Sequence, residues 1–133
     1  MTLQERIDLS ETHVCTTVFP FLTNHHDTLF GGKAMSIMDE VSFMAATRFC
    51  RKTLVTVSTD RIDFNKAIPS GSIIEAVARV QNVGRTSLKV KVDIFLEHMY
   101  KEGRELAIEG VFTFVALDEN RQPIPVLEGL DIE

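Results

Sequence analysis

The stretch Thr23–Glu40, TNHHDTLFGGKAMSIMDE, gathers side chains that could do chemistry. Asn24, His25, His26, Asp27 and Thr28 precede Gly31 and Gly32, and Asp39 follows seven residues later inside a helix pattern with a wide apolar stripe. A carboxylate in such a setting can take a proton from water or attack a carbonyl itself. Glycines at the start of a helix let a ligand approach bare backbone amides at the positive end of the dipole. Amides so placed suit the oxyanion that forms during acyl transfer. The plainer readings are a solvated carboxylate on a helix flank for Asp39 and a flexible helix entry for the two glycines. His25, His26 and Asp27 are metal-ligand types, but adjacent residues point different ways and zinc spacings are absent. They are read as loop groups bonding backbone or solvent. No metal and no cofactor is expected.

Geometry constrains the catalytic reading. Seven residues of helix separate Gly32 from Asp39, about 10 Å at 1.5 Å per residue. One reacting carbonyl cannot touch both groups of a single helix. If both act, Asp39 of one chain faces Gly32 and Asn24 of another, with antiparallel helices about a two-fold axis.

The elements that must carry these groups are legible from periodicity. Ala34, Met38, Val41, Ala45 and Phe49 fall within about 80° of arc, which predicts a helix over residues 32–50. Ile37, Met44, Met35 and Ala46 widen the stripe, so a sheet is expected to embrace this helix. Beyond it the period becomes two. Leu88, Val90, Val92, Ile94 and Leu96 alternate with polar residues and Phe95. Ile74, Ala76, Ala78 and Val80 share one face of another strand, and Leu106, Ile108, Phe112 and Phe114 one face of a third. Val55, Val57, Thr59, Arg61 and Asp63 share one side of a β-rich stretch. HVCTTVFP is a further strand before the helix. Strand, loop, one long helix and four long strands make an α+β layer pair, one helix against a curved antiparallel sheet. Phe95, Val111 and Val115 remain on the outer faces and suggest contact between chains. Pro123 and Pro125 predict an irregular tail from about Glu119.

The chain has 133 residues, of which 44% are hydrophobic and 25% charged, the size and composition of one globular domain. The net charge of −5 argues against general nucleic-acid binding. Cys15 and Cys50 form no CxxC motif. MTLQERIDLS shows no targeting signal and no membrane span is visible, so a cytoplasmic location is the expectation.

TNHHDTLFGGKAMSIMDE, followed by VTVSTDRIDF and NVGRTS, resembles the hotdog-fold acyl-coenzyme A thioesterases, in particular the acyl-CoA hydrolase branch with a TN…FGG…MD signature. The likeness runs from about Val14 to Pro125, so residues 1–133 are expected to form a single hotdog domain. The resemblance implies homodimers joining two sheets, often three dimers together, with active sites at the dimer interface. It implies hydrolysis of acyl-CoA to fatty acid and coenzyme A, with Asp39 as base or nucleophile and Asn24 opposite it. Many members of that branch carry a small residue after the Asn, where this chain has His25-His26-Asp27.

Coenzyme A adds an anionic requirement. Arg85, Thr86 and Ser87, where one strand turns into the next, are candidate substrate-binding residues, with Thr28 and Gly31 at the helix entry. Arg48, Arg51, Lys52 and Lys66 are lesser candidates, read first as solvated basic groups. The rival functions are a hotdog dehydratase, a non-catalytic acyl-CoA sensor and a structural protein. His25 and His26 lie on the wrong side of the Gly pair for the dehydratase pattern. The segment before His13 is too short for a helix-turn-helix output domain. A serine hydrolase is disfavoured because the G-x-S-x-G elbow is absent.

Overall fold

A computed structural model describes residues 1–128. Its elements are α1 (Leu3–Ser10), β1 (Thr12–Thr17), a 3-10 turn (Pro20–Leu22), α2 (Gly31–Cys50), β2 (Thr53–Thr59), β3 (Asp63–Phe64), β4 (Ile73–Val83), β5 (Ser87–Glu97) and β6 (Arg104–Leu117). The sheet runs β1-β4-β5-β6-β2, antiparallel throughout, and β3 pairs with β6 beyond the end of β2. This is the hotdog fold, a curled sheet around a central helix.

The apolar stripe of α2 is the inner half of the core. Ala34, Met38, Val41, Ala45, Ala46 and Phe49 are all buried, against the inward rows of β4, β5 and β6. Every expected inward residue of β4 and β5 is buried too. The single-residue alternation leaves the opposite row half-buried on the convex face, as period two requires.

Three expectations need correction. Leu3–Ser10 is a helix, closed by a capping box in which Thr2 and Glu5 satisfy each other's backbone N–H groups. Leu106 does not share the face of Ile108, Phe112 and Phe114. Ile94 pairs with Ile108 but Phe95 pairs with Leu106, so Ala107 is the extra residue of a β-bulge. The bulge reverses the alternation and turns Leu106 outward while Ala107 is buried. The stretch from Val55 to Asp63 is likewise not one strand. Val57 bulges between Thr56 and Ser58, and residues 60–62 leave the ladder before β3. In that gap Ile62 crosses over Gly110, where a β-carbon would stand 3.0 Å from Ile62 Cγ1. Glycine is what permits the crossing. The segment after β6 packs against the core. Val126 and Leu127 are buried, the Ile124 N–H donates to Ala116 O, and the Val126 N–H donates to Arg85 O. Lys52 Nζ donates to Pro125 O at 2.6 Å and completes the strap.

The convex face carries a pH-dependent brace. His13 on β1 lies 2.7 Å from Glu11 and 3.0 Å from Glu75, and Arg104 on β6 also bonds Glu75. The hydrogen bond to Glu11, then that to Glu75, raises the imidazole above its ordinary value of 6.5, and the His13 contact lowers both carboxylates below 4.5. A raised imidazole contributes stability that is full below 6.5 and disappears as pH rises through its folded value. The lowered carboxylates contribute above 4.5 and lose it as pH falls through their folded values. The brace is therefore strongest between these limits. His13→Gln should lower the melting temperature more at pH 5.5 than at pH 8.5. Equal losses at both pH values, measured by calorimetry, would show that the ring's charge has no part in it.

Candidate active site

Asn24 is held by the loop it organises. Its Oδ1 accepts from the His26 N–H at 2.8 Å, the Thr28 N–H at 3.3 Å and the Thr28 hydroxyl at 3.2 Å. Its backbone N–H donates to Thr28 O at 2.9 Å. With the oxygen saturated, the Nδ2 group remains as a donor with no partner among the described residues. Thr28 thus serves the loop. His25 and His26 are exposed, their rings 3.9 Å apart.

The loop delivers the chain to α2 through Leu29, whose N–H donates to Ile68 O, and Phe30, whose N–H donates to Leu22 O. Phe30 is the N-cap and supplies no side-chain bond. The N–H groups of Gly31 and Gly32 have no acceptor among the described residues. A β-carbon on Gly32 would stand 3.2 Å from the Phe30 ring, and one on Gly31 would reach the Phe64 ring at 3.9 Å. The bare glycines are thus flanked by half-exposed aromatics.

Asp39 stands two turns further along α2, on its exposed side. Its Oδ1 accepts from the Thr56 hydroxyl at 2.8 Å, which leaves Oδ2 open. Met35 and Phe43, one turn to either side, are exposed to 42% and 43%, an unusual setting for large apolar groups beside an acid. The Phe43 ring packs 6.4 Å from that of Phe114. Thr56 was not singled out in the sequence, where it is one more β-branched residue of the strand TLVTVST.

Arg85, Thr86 and Ser87 form the β4–β5 turn. The Gly84 N–H donates to Ser87 O, and Thr86 O accepts from the Ala116 N–H. Ser87 pairs with Val115 and Val115 with Val55, so the turn lies two strands across from the neighbour of Thr56, about 10 Å. Arg85 is exposed and not ion-paired among the described residues.

The chain by itself therefore brings together two groups of the named residues. Asn24, Thr28, Gly31 and Gly32 form one, and Asp39 stands apart with the newly found Thr56. The 480 Å³ groove beneath α1 contains none of them. Among the described residues no trio of His, Cys, Asp or Glu is placed to hold a metal ion, and no helix is long and apolar enough to cross a membrane.

The sequence of residues 26–102 matches the profile described as the thioesterase superfamily. The chain belongs to that superfamily. It is 45% identical over 109 residues to an uncharacterized acyl-CoA thioester hydrolase of Bacillus subtilis (strain 168), covering 82% of this chain and 63% of that protein. The chain thus spans less than two thirds of this relative's length. Its fold superposes on an acyl-CoA hydrolase of Staphylococcus aureus, solved with butyryl coenzyme A, coenzyme A and coenzyme A disulfide, with a TM-score of 0.86 at 37% identity, covering 90% of this chain and 73% of that one. That enzyme has also been solved as alanine variants of an aspartate, a threonine and an asparagine. A hexameric acyl-CoA thioesterase, solved without ligand, gives a TM-score of 0.86 at 34% identity, covering 90% of this chain and 76% of that one.

Proposed function

We propose that this superfamily member hydrolyses acyl-CoA thioesters to a fatty acid and free coenzyme A, in a cytoplasmic setting. The observation that carries the reading is Asp39, its carboxylate held by Thr56 on an open face between Met35 and Phe43. The three residues altered in the S. aureus enzyme are separated by fifteen and seventeen positions, the spacings of Asn24, Asp39 and Thr56 here. This agreement supports the same three side chains acting together.

In the mechanism, Oδ2 of Asp39 takes a proton from water as the water oxygen attacks the thioester carbonyl. The alternative is direct attack by the carboxylate, giving an anhydride that water then opens. Either way the carbonyl oxygen gains negative charge, which the unpaired N–H groups of Gly31 and Gly32 and the Asn24 amide of a partner chain receive. Collapse expels the thiolate, a leaving group stable enough to need no strong general acid. Asp39 is exposed in the single chain, and a second chain laid over Met35 and Phe43 would shield it from water. Arg85, Thr86 and Ser87 hold phosphate oxygens of the coenzyme.

The free outer edge of β2 supports a homodimer, because Thr53–Thr59 has a strand on one side only. Val57, Phe64, Phe30, Met35 and Phe43 are large apolar side chains left half-exposed in the single chain, which a partner chain would cover. Phe95, Val111 and Val115, expected to mark the interface, are half-buried already, and Arg104 lies over the Phe95 ring. Assembly into a hexamer, as stated for the relative above, is part of the same proposal.

The test is thiol release from acyl-CoA, with subunit mixing to probe the shared site. Asn24→Ala and Asp39→Ala chains, each inactive alone, should regain activity when exchanged, because a mixed interface contains one intact site. No recovery after proven exchange would rule out the shared site. Binding of acyl-CoA without thiol release would favour the sensor reading.

A further inference from the structure

α1 and α2 end side by side, and each caps the other with an arginine. Arg6 of α1 donates from Nη1 to Phe49 O near the end of α2, at 3.1 Å. Arg48 of α2 donates to Leu9 O and Glu11 O at the end of α1 and to the Thr12 hydroxyl, at 2.8 to 3.0 Å. Between them opens a 270 Å³ pocket lined by Met1, Arg6, Leu9, Arg48 and Arg51. Three arginines thus line one cavity that has no acidic residue in its wall. Among the described residues none of the three is ion-paired, whereas Arg79, Arg104 and Lys91 each are.

Two further features distinguish the pocket from a solvated helix end. The Arg6 Nε–H is buried and has no acceptor. A guanidinium presents five donors, and the backbone bonds of Arg6 and Arg48 fix both forks while using only part of that capacity. Arg51 occupies the left-handed C-cap of α2, with φ 55°, the conformation in which glycine is the usual residue. Its backbone N–H donates to Thr47 O.

We propose that this pocket binds the polyphosphate group of a nucleotide. Three cations without counter-charges match a di- or triphosphate better than a single carboxylate, and two preset forks suit bidentate contact with phosphate oxygens. In a chain of net charge −5 this local excess is what would draw an anion. The nucleotide has two possible sources: a separate free nucleotide or, resting on the proposed hydrolysis, the coenzyme A of the substrate, in which case this pocket and not the Arg85–Ser87 turn holds its diphosphate.

The decisive variant is Arg51→Gly. It removes the side chain while giving the left-handed position its favoured residue, so loss of binding cannot be assigned to misfolding. Titrating the full chain with inorganic pyrophosphate and with ADP should give saturable binding. Arg51→Gly should weaken it at least tenfold while the melting temperature holds or rises, and Arg51→Lys should weaken it less. Octanoate should not compete. Pyrophosphate binding unchanged by Arg51→Gly, or absent from the parent chain, overturns the proposal. The two sources separate in kinetics. A raised KM for acyl-CoA at constant kcat identifies the substrate's own nucleotide. An unchanged KM with ADP binding lost identifies a separate nucleotide.

Discussion

Asp39→Ala is expected to lower kcat for acyl-CoA hydrolysis by about 10² to 10⁴, the usual contribution of a positioned general base. That is roughly 3–5 kcal/mol of barrier. The fold should barely respond. The side chain is exposed and its bond is to Thr56, so the stability change should stay near about 0.5–1 kcal/mol. Asp39→Asn sharpens the result. It can still accept from the Thr56 hydroxyl, but it can neither take a proton from water nor attack as a carboxylate. It should therefore be as inactive as the alanine variant. A steady-state rate equal to the parent's in either variant would remove Asp39 from the chemistry.

Phe49→Ala should do the reverse. Phe49 is fully buried at the end of the α2 stripe, among the largest side chains of the core. Truncating such a ring costs about 3–5 kcal/mol, from lost burial and from the cavity left behind. Domains of this kind have only about 5–15 kcal/mol in total. The melting temperature should fall by roughly 10–18 °C for a chain of this length, compared at one fixed protein concentration because assembly contributes to stability. Turnover per folded molecule at low temperature should survive, since Phe49 is almost three turns from Asp39. A midpoint within a degree or two of the parent's would mean that the ring does not close the core. Together the two variants separate the helix's two faces, one that holds it in the sheet and one that presents the acid.

That division was legible in the residues. The 3.6-residue spacing of Ala34, Met38, Val41, Ala45 and Phe49 decides which side of α2 turns inward, and the alternation of Leu88 to Leu96 does the same for β5. Periodicity is a local property, so it survives whatever the rest of the chain does. Leu106 was misread because local alternation has no knowledge of a bulge. Ala107 is the extra residue only because β5 pairs as it does on either side of it. The α1 helix had a written signal, Thr2 and Glu5 at capping-box spacing, but its short run of weak amphipathicity does not reveal that it ends against α2.

The residue types of the candidate site were equally plain: an Asn, two glycines and a helical Asp in one short segment. That segment, its long helix and the alternating strands follow from the order of side chains alone, because each is set by neighbours a few positions away. What only the folded chain decided is which distant groups meet. Thr56 reaches Asp39 because β2 returns alongside α2, Val126 enters the core because Lys52 and Arg85 hold its strap, and Arg6, Arg48 and Arg51 share a pocket because two helices end together. Contacts of that kind depend on the whole path of the backbone, which no local spacing records.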